Sequence, residues 1–244
     1  MGRAEHIAFV VPRLADGSVV GGAETLLRNL AERARANGRK VTILTTCATS
    51  HYTWANELEP GRRQVGDLEV EFFPVDGDRD LEVFLSVQNR ISAGVRVSRE
   101  DEQAWLRNNV NSRALCSHLA EAGEQYDVIV TGPYLFGLIY HAAQVHPHKT
   151  LLVPCLHDEP FALLTAFKDM FAAVKGCLFN TEPERRLAER LYGPPAAHQV
   201  ISVVGMGLDD FSVDAGAFAA RHRITGPYLL YSGRREPLKG TPIL

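Results

Sequence analysis

Ile7-Ala8-Phe9-Val10-Val11-Pro12, followed after one loop by Gly21-Gly22-Ala23-Glu24, is the stretch that decides the fold. A continuous apolar run ending at a proline reads as a strand covered on both faces, because a half-exposed strand would alternate. The glycines open a helix running to Asn37, in which Leu27, Leu30, Ala31 and Ala34 share a face and Gly38 supplies the stop. Buried strand, loop and amphipathic helix make the first step of an alternating chain.

The same step recurs. Further strands are expected at Val41–Thr45, Leu68–Val75, Asp127–Thr131, Thr150–Leu156, Cys177–Asn180 and Gln199–Val204. Thr181 is placed to cap a helix over Glu182–Tyr192, with Pro183 in its first turn and Glu184 completing a capping box. Ser98, with Glu100 and Asp101, opens another helix that carries Trp105, Leu106, Leu115 and Leu119. Such alternation predicts an α/β fold, a Rossmann-like doubly wound and mostly parallel sheet.

Two stretches break the rhythm. Residues 47–67 read as a long loop containing His51, Tyr52, Trp54 and Arg62-Arg63, and residues 76–98 as an insertion or a mobile helix. The expected organisation is a first domain over 1–208, a linker over 209–227, and the start of a second domain over 228–244. There Tyr228-Leu229-Leu230-Tyr231-Ser232-Gly233 reads as a short buried strand running into a glycine turn, crowded by Arg234, Arg235 and Lys239. Strand, glycine and cations before a helix is an arrangement that holds phosphate.

Composition narrows the class. The 244 residues are 45% hydrophobic and 23% charged, as in ordinary globular proteins, and the net charge of −3 argues against a general nucleic-acid binder. Cys47, Cys116, Cys155 and Cys177 form no CxxC pair, which suits a reduced, cytoplasmic setting. No charged-then-apolar leader opens the chain, and no run approaches the roughly 18 apolar residues of a membrane span.

Each motif has a plain alternative. Gly21-Gly22 at a helix start lets an anion approach backbone N–H groups, but the turn is not the GxGxxG of dinucleotide binders, and a simple loop-to-helix junction looks the same. Pro154-Cys155-Leu156-His157-Asp158-Glu159-Pro160 lies at the carboxyl end of a strand, where ligands of open α/β sheets bind. His157 can exchange a proton or donate a hydrogen bond there, or simply cap the strand. Consecutive His, Asp and Glu point three ways and make a poor metal cage. His141, His146 and His148 read as cationic helix-end residues in solvent, with zinc the minor alternative. Arg33, Arg35, Arg39 and Lys40 read as a solvated helix end, with anionic lipid the alternative, and Trp105 as core.

Together these positions resemble the GT-B glycosyltransferases, specifically the retaining family 4 enzymes. Gly21-Gly22-Ala23-Glu24 looks like the family's first-loop glycine motif, and His157 with Asp158 like its cleft histidine. Gly205-Met206-Gly207-Leu208-Asp209 resembles the Asn-Gly-Val-Asp element ending the first domain, with Met206 departing from asparagine. Tyr231-Ser232-Gly233-Arg234 with Lys239-Gly240 resembles the opening of the nucleotide-binding domain, so the family's paired donor-site glutamates are expected beyond Leu244.

The resemblance implies transfer of a sugar, with retention, from a nucleotide diphosphate sugar to an acceptor hydroxyl on a glycan or lipid-linked molecule. It assigns His157 the catalytic position, and Gly21, Gly22, Arg234 and Lys239 the donor phosphates. Trp54, Tyr134, Asp158 and Glu159 are the candidates for acceptor recognition. No metal and no further cofactor is expected, no nucleic acid, and at most peripheral contact with the inner face of a membrane. The fragment alone is expected to be inactive. A sugar-nucleotide epimerase of the same fold, a carbohydrate-binding module and a nicotinamide-dependent oxidoreductase are the alternatives.

Overall fold

The computed structural model describes residues 5–14, 21–207, 212–231 and 241–243. The chain divides into two compact units, Met1–Met206 and Gly207–Leu244. In the first, strands β1 (His6–Val10), β2 (Lys40–Thr46), β3 (Gly61–Val65), β4 (Leu68–Phe73), β5 (Val128–Thr131), β6 (Thr150–Leu152), β7 (Gly176–Phe179) and β8 (Val200–Val203) form one sheet in the order β3-β4-β2-β1-β5-β6-β7-β8. Every pairing is parallel except the hairpin of β3 and β4.

Along β1 the side chains alternate between the two faces. Ala8 and Val10 belong to a core with Trp105, Leu106, Leu119, Ile129 and Phe167, while Phe9 packs with Leu26, Leu27, Ala31, Ile43 and Val70. The second face is covered by helix α1 (Gly22–Ala36). The first is covered by α2 (Leu81–Ser92), α3 (Arg99–Asn108), α4 (Arg113–Ala122), α5 (Gly137–Val145), α6 (Thr165–Ala173) and α7 (Glu182–Tyr192). This is why the strands read as continuously apolar. Each buried large side chain contributes about 1.5–3 kcal/mol, and Trp105, closed to solvent against Phe84, Phe161 and Phe167, anchors the larger core.

Four expectations need correction. The supposed loop 47–67 contains β3, whose Gly-Arg-Arg-Gln-Val has no apolar period because it is an exposed edge strand, its Arg62 paired with Glu71 of β4. Residues 76–98 contain an ordinary helix, α2, capped by Asp80; only Phe84, Val87 and Ile91 turn inward, so the periodic signal is thin. The helix opened by Ser98 is two helices. Asn111 Nδ2 donates to the carbonyls of Leu106 and Arg107, closing α3, and Ser112 caps α4 through Leu115 N.

The fourth lies in the second unit, where α8 (Ala215–His222) is capped by Asp214. Tyr228–Tyr231 form no strand, and Leu229 and Leu230 are 99% and 72% exposed. An apolar run becomes a strand only when a ladder partner takes its backbone groups, and the described residues of this unit include no other strand. Ser232, Gly233, Arg234, Arg235 and Lys239 lie outside the described residues, as do Leu208 and Asp209.

Candidate functional site

The chain runs from β1 outward to β2 and β4 on one side, and through β5, β6, β7 and β8 on the other. The order reverses between β1 and β5, a topological switch point at whose carboxyl edge the ligands of open α/β sheets bind. Adjacent strands lie about 4.8 Å apart, so the ends of β1, β5 and β6 fall within about 10 Å. The sequence candidates Gly21-Gly22, Tyr134 and His157 follow those three strands.

At the end of β1 a buried arginine ties the strand's exit to the first turn of α1 and to Thr49. Arg13 Nε donates to Glu24 Oε1 (2.7 Å) and its Nη2 to Glu24 Oε2 (2.8 Å), while Nη1 donates to the Thr49 carbonyl (2.6 Å). The Arg13 and Glu24 side chains are 7% and 12% exposed. Glu24 Oε2 also accepts the Gly21 N–H at 2.7 Å. One of the N–H groups assigned to a donor phosphate is thus already held by an internal carboxylate, and a phosphate at Gly21 must compete with it. Gly21 itself is extended, as a helix N-cap should be.

At the end of β6 the loop is tied down around an untied histidine. Leu156 N donates to Glu184 Oε1 (2.7 Å), Asp158 Oδ2 accepts from Arg190 Nη2 (2.6 Å), and Glu159 Oε1 accepts from the Tyr134 hydroxyl (2.7 Å). His157 is exposed and has no hydrogen-bond partner among the described residues. Cys155 adopts φ +52°, a left-handed conformation rarely used by a residue with a side chain. Burial pushes its thiol up to about 11, which keeps it protonated, and Asn180 Nδ2 lies 3.6 Å from its sulfur.

Tyr134 is placed differently from its expected role. Its ring is fully buried against Phe167, and burial, then the Glu159 carboxylate, raise its hydroxyl so that it stays a donor. A closed ring cannot touch an acceptor directly; it acts through Glu159. Trp54, at φ +53°, packs edge-on against Phe136 from the same β5 loop, with ring centroids 5.4 Å apart. The structure therefore brings Trp54 beside the crevice. His51 and the 83% exposed Tyr52 pack ring against ring at a tilt of 38°.

Of the three histidines in and beyond α5, only His148 is exposed. His141 is half-buried and its pKa is lowered by burial, with Arg107 adding to the effect. His146 Nε2 donates to the Leu119 carbonyl, and its ring meets His148 edge-on. Among the described residues no group of three His, Cys, Asp or Glu side chains is arranged to hold a metal, and no helix is long and apolar enough to cross a membrane. Arg35 pairs with Asp67 at the far, amino-terminal end of the sheet, where Arg39, Lys40 and Glu69 line a polar hollow of about 410 Å³.

Two site residues escaped the sequence. Arg13 carried a signal, a lone arginine directly after an apolar strand, where a charge must find a partner if it is buried. The second role of Glu184 carried none, because its contact with Leu156 spans 28 positions.

No protein-family model matches the chain, and no curated protein matches it. Solved structures do. An α,α-trehalose-phosphate synthase (UDP-forming) from Burkholderia vietnamiensis aligns with 84% of this chain and 49% of its own, at 16% identity and a TM-score of 0.52. An α,α-trehalose 6-phosphate synthase from Burkholderia multivorans aligns over 81% of this chain and 49% of its own (16% identity, TM-score 0.49). A sucrose-phosphate synthase from Thermosynechococcus elongatus aligns over 90% and 96% (12% identity, TM-score 0.45). The chain spans about half the length of the trehalose-phosphate synthases it matches. At this level of identity the likeness concerns the fold: the chain has the Rossmann-like, mostly parallel architecture of a GT-B domain.

Proposed function

We propose that this chain is the acceptor-side half of a retaining GT-B glycosyltransferase, which moves a sugar from a nucleotide diphosphate sugar to an acceptor hydroxyl. One observation carries the reading: at the carboxyl end of β6 Leu156, Asp158 and Glu159 each have a hydrogen-bond partner, while His157 is exposed and has none among the described residues. A side chain whose neighbours are immobilised and whose own polar atoms are unused is a preorganised donor for a ligand.

In this reading the bond between the sugar and the diphosphate breaks as the acceptor oxygen bonds to the same carbon on the same face. A leaving phosphate oxygen takes the hydroxyl proton. His157 orients the sugar or acceptor by a hydrogen bond and forms no covalent link. Negative charge on the leaving diphosphate is met by protein cations in place of a metal, Arg234 and Lys239 being the candidates that the sequence offers. Trp54, Asp158 and Glu159, the last steadied by Tyr134, form the acceptor side. The acceptor is a glycan or a lipid-linked molecule, reached on the cytoplasmic side.

The test is turnover. The 244-residue chain alone is expected to release little nucleotide diphosphate from a panel of nucleotide sugars and to bind nucleotide weakly; rapid turnover by it overturns the need for a second half. In a protein that also carries a complete nucleotide-binding half, His157→Ala and Lys239→Ala should each slow transfer on the order of a hundredfold with the fold intact. Near-wild-type rates for both remove these residues from the mechanism.

A further inference from the structure

We propose that Glu184 is the positioning residue for His157, a strut from α7 that fixes the loop after β6. The inference rests on reading His157 as the ligand-facing group of the crevice. Glu184 stands in the first turn of α7, where its N–H donates to Thr181 Oγ1 at 3.2 Å. A glutamate at this position ordinarily returns its carboxylate to the cap residue's own N–H. Here it does not. Oε2 accepts from Asn180 N at 2.6 Å, and Oε1 reaches across to Leu156 N at 2.7 Å.

The strut bears on the residue that needs it. Cys155, immediately before Leu156, is held in the left-handed region, a strain that the surrounding structure must offset. With Glu184 only 7% exposed, its carboxylate contacts are shielded from water and correspondingly strong. They join the ends of two adjacent strands, β6 and β7, directly beside His157. Only an ionised carboxylate accepts at both oxygens; a glutamine must turn its NH₂ towards one of the two N–H donors.

The experiment is amide hydrogen exchange and histidine-ring NMR on the 244-residue chain and its Glu184→Gln variant. In the wild type, Leu156 and Asn180 should exchange slowly. In Glu184→Gln, Leu156 exchange should accelerate tenfold to a hundredfold, on the order expected for losing a charged hydrogen bond. The His157 ring signals should shift or broaden, while amides later in α7 stay protected. A mere helix cap predicts the reverse: α7 frays and His157 is unmoved. Fast exchange of Leu156 in the wild type overturns the proposal without any variant, so it remains testable if Glu184→Gln does not fold. Failure of the two readings separates cleanly. If Glu184→Gln frees the loop but His157→Ala leaves oligosaccharide binding unchanged, the strut stands and the transferase role of His157 falls.

Discussion

Replacing Arg13 by methionine probes the loop after β1 most sharply. The change keeps most of the side-chain volume but removes two hydrogen bonds to Glu24 and one to the Thr49 carbonyl. Glu24, 12% exposed, is left with the Gly21 N–H as its remaining partner, and the Thr49 carbonyl loses a donor. Breaking a buried pair from one side costs about 3–5 kcal/mol, because the surviving charge stays buried. For a chain of this size that lowers Tm by roughly 6–20 °C, at about 2–4 °C per kcal/mol. Removing both partners, with Arg13→Met and Glu24→Gln together, takes away the stranded charge and should cost distinctly less than the sum of the single changes. Thermal melts of the four proteins in this cycle provide the assay. A loss below about 1 kcal/mol for Arg13→Met, or strict additivity in the double variant, would refute the buried clamp.

Three further outcomes follow from the same geometry. Tyr134→Phe deletes the hydroxyl that holds Glu159, a charge-assisted bond worth about 1.5–3 kcal/mol, and should speed proteolysis within residues 155–160; unchanged stability and cleavage would argue against the tether. Gly132→Ala places a Cβ 2.1 Å from the Val153 carbonyl oxygen, an overlap with backbone that should cost at least about 1–3 kcal/mol, read by urea unfolding. His141, depressed by burial, binds its proton more readily when unfolded, so the unfolded state takes up more protons as pH falls below about 6.5. Stability should therefore drop as pH falls from about 6.5 through the lowered native value. The drop should shrink in His141→Gln; an unchanged pH profile in that variant would rule the residue out.

What could be read from the sequence follows burial. The inner strands and α7 were legible because both faces of the sheet are covered and Thr181 marks a helix start plainly. β3 was not, since an exposed edge strand is free to be polar, and Tyr228–Tyr231 showed the opposite failure, apolar residues without a ladder to join. The break between α3 and α4 is written in Asn109-Val110-Asn111-Ser112, but a helical period continuing on both sides hides it. In the site, positions were legible and connections were not. His157 and Gly21 stand out by their place after strands. The partners that hold their loops, Glu184 and Arg13, act through long-range contacts that spacing does not reveal.

The central claim is that the loops after β1, β5 and β6 form one sugar-binding crevice with His157 at its exposed edge. Its most direct test is an NMR titration of the 244-residue chain with mono- and oligosaccharides. Amide shifts should cluster at Gly21–Gly22, Tyr134–Phe136 and His157–Glu159, and His157→Ala should abolish them. Binding that maps instead to the hollow around Arg35 and Arg39, or that survives unchanged in His157→Ala, would contradict the account.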